Sequence, residues 1–208
     1  EIRLSLVGSE MCIRDRLLHQ YSPRQVVLDP VMVSTSGHNL MTDEAVEAIC
    51  TLLLPEVSLV TPNLHEAAVL LQQPIHTVDD MEHAAHLVYE KYHCACLVKG
   101  GHLTGNEMCD VLYDGHELHL FGARRIHSGN LHGTGCTLSS AIATFLAQGF
   151  PLYEAVELAK TYITKAIEAG KDLHIGQGNG PLCHFPYLVN PVNPLTAVSY
   201  THLRAHET

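Results

Sequence analysis

Two glycines flank a threonine in HGTGC, residues 132–136, just ahead of an apolar, Ala-rich stretch that runs to Gly149. Glycine lets a backbone come close to a ligand, and the first-turn N–H groups of a helix have no intrahelical partner. Together with the positive end of the helix dipole they form an anion pocket. Its natural guest is a phosphoryl group, or the charge that develops as one is transferred. Gly133, Thr134 and Gly135 are the candidate pocket residues. Cys136 stands at the same N-terminus, a position that favours a thiolate, and a base there can take the proton of a substrate hydroxyl. The same spacing also fits a tight turn followed by a small core cysteine.

Three shorter patterns place polar groups where strands end. Asp29 closes a β-branched run in LDPVM. Ligands of open α/β sheets bind off the carboxyl ends of strands, so an acid there suits Mg²⁺ or a hydroxyl, and equally a plain strand cap. In TPNLHEA, residues 61–67, Thr61, Asn63 and Glu66 follow another strand end. Asn63 is also a natural helix N-cap, and Glu66 suits Mg²⁺ held through water, since that ion keeps much of its hydration shell. In VKGGH, residues 98–102, Lys99 precedes two glycines; it is placed to neutralise phosphate charge, or is an exposed lysine before a turn. There is no GxxxxGK[ST], and no GxGxxG follows a strand, which excludes a P-loop and disfavours a dinucleotide fold.

The elements that must position these residues alternate between strand and helix. VVLD (26–29) reads as a buried strand closed by Pro30. Thr42 then caps a helix whose first turn carries Asp43 and Glu44 and whose apolar face is Ala45, Ile49, Leu52 and Leu53. VSLVTP (57–62) is a second buried strand, followed by helices over about 63–71 and 78–92, the latter opened by Thr77, Asp79 and Asp80. ACLVKGG (95–101) is a third strand, and Asp114-Gly115 marks a hairpin. Two long helices close the pattern, one from about 134 to near Gly149 and one from Pro151 to Gly170, obeying the preference for proline at a helix start and glycine past its end. Such alternation predicts a mainly parallel sheet covered by helices.

Composition narrows the field further. Lys+Arg 12 against Asp+Glu 22 gives a net charge of −10 without a basic patch, which disfavours binding to nucleic acid or an anionic membrane surface. No apolar run approaches the roughly 18 residues of a membrane-spanning helix. Seven scattered cysteines match no zinc pattern and fit reduced thiols in a cytoplasmic protein. The sixteen histidines are dispersed, and the nearest metal-like pair, His83 and His86, reads as surface histidines rather than a metal buffer. Residues 1–16 and 198–208 sit badly with the rest and read as foreign ends. The expected organisation is a tail over 1–16, one α/β domain over 17–190, and a linker and tail over 191–208.

Taken in order, LDPVM, TPNLHEA, VKGGH, NLHGTGC, AVELAKTYITKAI and IGQGNGPLCHF form a specific series over about residues 17–186. The chain resembles the hydroxymethylpyrimidine/phosphomethylpyrimidine kinases of the ribokinase-like superfamily. Cysteine in GTGC, where most sugar and pyridoxal kinases of that superfamily carry aspartate, sharpens the resemblance. It implies a three-layer α/β/α fold and two ATP-dependent phosphorylations of a small pyrimidine alcohol in thiamine biosynthesis, with ATP and Mg²⁺ as cofactors and a homodimeric full-length parent. By position it implies an anion hole at Gly133, Thr134, Gly135 and the Cys136 amide, with Cys136 as base. Asp29 and Glu66 become the metal–phosphate acids, and Asn63, Lys99 and Lys160 the nucleotide contacts. Leu131 departs from the family's usual threonine. The family pattern begins just before VVLDP, so residues 17–190 read as a partial ribokinase-like kinase domain, in which the N-terminal strands and the glutamine that read the pyrimidine in the family are expected to be largely missing. A pyridoxal kinase, or an inactive nucleotide-binding fragment, are the competing readings.

Overall fold

The computed structural model describes residues 17–18, 20–32, 40–101, 103 and 107–189; the two expected foreign ends, the 34–39 loop and His102 lie outside them. Among the described residues five strands form one sheet in chain order: β1 (Val27–Leu28), β2 (Leu59–Val60), β3 (Ala95–Val98), β4 (Glu107–Tyr113) and β5 (Leu118–Arg124). The first three are parallel to one another. The Asp114-Gly115 hairpin adds the last two antiparallel, with Gly115 at φ 99° and the Asp114 carboxylate accepting the His116 and Glu117 N–H groups. The helices are α1 (Asp43–Ala48), α2 (Leu64–Leu71), α3 (Val78–Tyr92), α4 (Thr134–Ala147), α5 (Leu152–Gly170) and α6 (Pro186–Val189).

The two-residue period of the strands sorts side chains into two cores. Val60, Cys96, Val98 and Val111 face one side and pack with Ile49 just past α1, Leu70 of α2, and Met81 and Val88 of α3. Leu59, Ala95, Leu97 and Leu112 face the other and pack with Leu138 and Ile142 of α4 and Val156, Ala159 and Ile163 of α5. The result is three layers, helix–sheet–helix. Met81, Val88, Ile142 and Val156 are fully buried, each worth about 1.5–3 kcal/mol relative to exposure.

Local signals hold at most helix starts. Thr42 accepts the Ala45 N–H, and both Asn63–Glu66 and Thr77–Asp80 close capping boxes. Three expectations are corrected. Leu52, expected on the apolar face of the first helix, is 65% exposed. The reason is that α1 runs on as a π-helical turn over Ile49–Leu53, whose wider turn keeps Leu53 inward, as expected, and brings in Leu54 in place of Leu52. VVLD, expected to be a buried strand, is half-buried, because β1 is the edge of the described sheet and pairs only with β2 among the described residues. Gly170 ends α5 for a different reason from the one expected. It lies within the helix, and a Cβ there would stand 2.8 Å from the Cys183 nitrogen, so the glycine admits a crossing chain. Among the described residues no helix is long and apolar enough to cross a membrane.

Candidate active site

Parallel strands in register end side by side, and Leu28, Val60 and Cys96 are paired across β1, β2 and β3. The segments leaving these strands therefore meet at one rim of the sheet. The alignment continues past β3, where Lys99 bridges to Asn63 and its N–H donates to the Pro62 carbonyl at 2.8 Å. Lys99 Nζ donates to Asp29 Oδ1 at 2.9 Å, with the two side chains 15% and 13% exposed. Thr61 Oγ1 donates to the same oxygen at 3.4 Å. An ion pair this withdrawn from water is little screened by salt.

The mouth of α4 closes on this pair. Gly133 is its N-cap at φ 84°, a left-handed conformation that favours glycine, and it has no side chain with which to occupy the first-turn amides. Gly135 faces the ion pair: a Cβ there would stand 3.4 Å from Lys99 Nζ and 3.6 Å from Asp29 Oδ2. Its bareness lets an ammonium, a carboxylate and a helix N-terminus share one space. The Thr134 hydroxyl does not face that space freely, since it donates to the Leu131 carbonyl at 2.7 Å. The Leu131 side chain itself is 46% exposed. Cys136 is exposed and lines an open cleft of about 530 Å³ that runs down α4 past Ser140 and Thr144 to Tyr162 and His184.

The turn before α4 is held from outside the motif. Asn130, 8% exposed, donates its amide to the Gly170 and Leu173 carbonyls at 2.6 Å each. The Gly178–Pro181 segment runs alongside, with the His132 N–H on the Gly180 carbonyl and the Gly180 N–H on the Gly129 carbonyl, both at 3.2 Å. A Cβ on Gly180 would collide with Asn130 Oδ1. This is the physical reason that the GNGPL segment accompanies the GTGC segment in one sequence.

Glu66 is 2% exposed. Its Oε1 accepts the Met32 N–H at 3.2 Å and its Oε2 the Asn63 N–H at 2.8 Å, while Asn63 Oδ1 accepts the Glu66 N–H at 3.0 Å. Glu66 and Asn63 thus both serve the capping box of α2 and the rim. Burial pushes the Glu66 carboxyl above its ordinary range, the Asn63 and Met32 N–H donors and the Lys99 ammonium pull it back, and the Asp29 charge pushes it further up. A raised acid pKa means that the folded chain holds the proton longer than the unfolded one. Stability is then full below the ordinary glutamate value and falls as pH rises through the window up to the raised value. Urea denaturation at a series of pH values is expected to show that fall in the parent, and Glu66→Gln is expected to remove it; an unchanged slope in the variant would assign the fall to other groups.

Asp29 and Glu66 offer carboxylate oxygens that could hold a cation. Asp29 Oδ2 lies on the Gly135 side, and each Glu66 oxygen accepts one N–H and keeps a further lone pair. Two carboxylates fit a hard divalent ion that completes its shell with phosphate oxygens and water. Among the described residues no cluster of three His, Cys, Asp or Glu side chains offers a softer or denser site.

Lys160 is the candidate that the structure does not bring to the rim directly. It reaches from α5 to an ion pair with Asp110 of β4, and Asp110 in turn accepts the Gly100 N–H at 2.8 Å. Asp110 and Asn130 carried no assigned role in the sequence. The signal for Asp110 was available: it is an acid on the same strand face as Leu112, in a position that packs inward.

The family profile described as phosphomethylpyrimidine kinase matches residues 7–183. A hydroxymethylpyrimidine/phosphomethylpyrimidine kinase of Rhizobium meliloti is 48% identical over 163 residues, covering 78% of this chain and 61% of that protein. Among solved structures, a phosphomethylpyrimidine kinase of Clostridium difficile superposes with a TM-score of 0.64 at 38% identity, over 74% of this chain and 62% of that one. A pyridoxal kinase of Staphylococcus aureus, in complex with AMP-PCP and pyridoxal, superposes with a TM-score of 0.74 at 29% identity, over 84% and 62%. The chain therefore spans under two thirds of the length of each of these relatives.

Proposed function

This chain belongs to the phosphomethylpyrimidine kinase family, and on that premise we propose that it carries the nucleotide-and-phosphate half of an ATP-dependent kinase of thiamine biosynthesis. The acceptor is 4-amino-5-hydroxymethyl-2-methylpyrimidine, and then its monophosphate. The observation that carries this reading is Gly135 packed against the Lys99–Asp29 pair at the open mouth of α4. A cation, unpaired helix amides and a carboxylate around one point are what a transferring phosphoryl group requires.

In the first transfer the acceptor hydroxyl oxygen bonds to the γ-phosphorus, the bond from that phosphorus to the ADP leaving oxygen breaks, and the hydroxyl proton passes to Cys136 Sγ acting as thiolate, which ends as the thiol. The amides of Gly135 and Cys136 and the Lys99 ammonium stabilise charge on the migrating group. Asn63 sets the start of α2 beside Lys99, and so lines the approach of the nucleotide phosphates. Asp29 and Glu66 would hold Mg²⁺, which when bound neutralises charge on the ATP phosphates. Little covalent work is asked of the protein, and positioning does most of it. A homodimer in the cytoplasm goes with this reading, as it does with the resemblance.

The pyridoxal kinase superposition keeps pyridoxal as a second acceptor. Calorimetry with ATP, and then turnover with the pyrimidine alcohol, its monophosphate and pyridoxal, separates the readings. ATP binding with faster consumption of the pyrimidines is expected. Faster consumption of pyridoxal would move the assignment to that vitamer. ATP binding without turnover would leave a nucleotide-binding half that needs further chain to complete its acceptor pocket, and absence of ATP binding would overturn the proposal.

A further inference from the structure

We infer that Asp110, backed by Lys160, is a positioning residue for Lys99. This rests on the reading of Lys99 as the phosphate contact and assigns the Asp110–Lys160 pair a task within it. Lys99 itself is held at both ends. Its own N–H is fixed to Pro62, and the next N–H in the chain, that of Gly100, is fixed to Asp110 Oδ1 at 2.8 Å. Gly100 presses so closely on β4 that a Cβ would run into the Cys109 carbonyl oxygen. The loop beyond is clamped as well, by Arg125 donating to the Gly101 and Leu103 carbonyls at 3.1 and 2.6 Å.

Asp110 is 8% exposed, and an unpaired carboxylate at that depth would be costly. Lys160 supplies the counter-charge through Asp110 Oδ2, which leaves Oδ1 for the Gly100 N–H. Replacing such a pair by packed hydrocarbon is often neutral or better for stability, so holding a specific backbone turn is the reason for keeping it here. The strut runs from α5 through β4 to the turn after β3. It aims the Lys99 side chain across the rim at Asp29 and Gly135. On this account Lys160 acts on the nucleotide through Asp110 and Lys99 rather than by touching it.

The test is a double-mutant cycle between Asp110→Asn and Lys99→Met, read by calorimetry as affinity for ATP, with adenosine measured by competition. Asp110→Asn is expected to weaken ATP about tenfold, to leave adenosine within about twofold, and to have no further effect once Lys99 is methionine. Lys160→Gln, which keeps a donor towards Asp110, is the second variant should Asp110→Asn not fold. It is expected to follow the same pattern at about threefold. Losses that add in the cycle, or that fall equally on adenosine, overturn the inference; additivity for Lys160→Gln would mean direct contact with the nucleotide. A parent chain that binds no ATP defeats the functional reading by itself. The strut is then judged by amide hydrogen exchange at Gly100: a rate about tenfold faster in Asp110→Ala, which removes the acceptor, with α3 amides unchanged, supports it, and an unchanged rate overturns it.

Discussion

On the proposed kinase reading, replacing Cys136 with alanine is expected to slow phosphorylation of the pyrimidine alcohol by about 10²- to 10⁴-fold, the usual worth of a general base. The same substitution is expected to cost the second phosphorylation less than about tenfold. The two acceptors differ in one respect that matters here. An alcohol must lose a proton as its oxygen bonds to phosphorus, whereas a phosphate monoester already presents an anionic oxygen near neutral pH. A base that serves proton removal is needed for the first acceptor and nearly idle for the second. An anion-hole role for this position would behave differently, because the hole is built from the Cys136 backbone N–H, which alanine retains. Cys136 is exposed at the third residue of α4, so alanine leaves no cavity in the core and thermal stability is expected to stay close to that of the parent. Steady-state rates measured separately for the two acceptors decide the matter. Equal losses on both would move the Cys136 side chain from proton transfer to a general part in phosphate binding, and near-parent rates on both would leave this position only the backbone N–H that alanine keeps.

The fold was legible where a local rule and the tertiary packing agree. Thr42, Asn63 and Thr77 are N-caps by side-chain chemistry alone, and the structure uses each of them. The strand ends that carry Asp29, Thr61 and Lys99 could be read because parallel strands in a βαβ series must finish on the same side. What the sequence does not carry is the partner of each group. Whether Lys99 pairs with Asp29 depends on register across β1, β2 and β3, and the period-two pattern says only which face a residue takes. Lys160 was legible as a lysine on an amphipathic helix, but its destination, Asp110, lies fifty positions away on a strand whose pairing is antiparallel. Leu52 failed because the 3.6-residue period was assumed through a turn that is π-helical. Asn130 sits within a motif whose glycines drew attention first. Its role becomes visible only once Gly170, Leu173 and Gly180 are seen to crowd around it.

Lys99→Met is expected to lower the rate of phosphoryl transfer by about 10²- to 10³-fold, comparable with the removal of one preorganised charge-stabilising donor. Methionine keeps much of the length and apolar body of lysine and deletes the charge, so the loss reads on electrostatics more than on packing. The deletion has a second consequence. Asp29 keeps only the Thr61 hydroxyl on Oδ1, and its half-withdrawn carboxylate faces the mouth of α4 without a counter-charge. Binding of a phosphate-bearing nucleotide should therefore weaken along with turnover, and high salt should recover little of either because the site is poorly screened. Lys99→Arg tests whether positive charge alone suffices. The ammonium already stands 3.4 Å from where a Cβ on Gly135 would be, and a planar guanidinium is too broad for that gap. Arginine is therefore expected to restore less than about a tenth of the lost rate. Rapid-quench measurement of a single turnover, with ATP saturating, separates the chemical step from binding. Full recovery with arginine would show that Gly135 does not gauge the space beside Lys99, and a parent-like single-turnover rate in Lys99→Met would take the lysine out of the transfer step altogether.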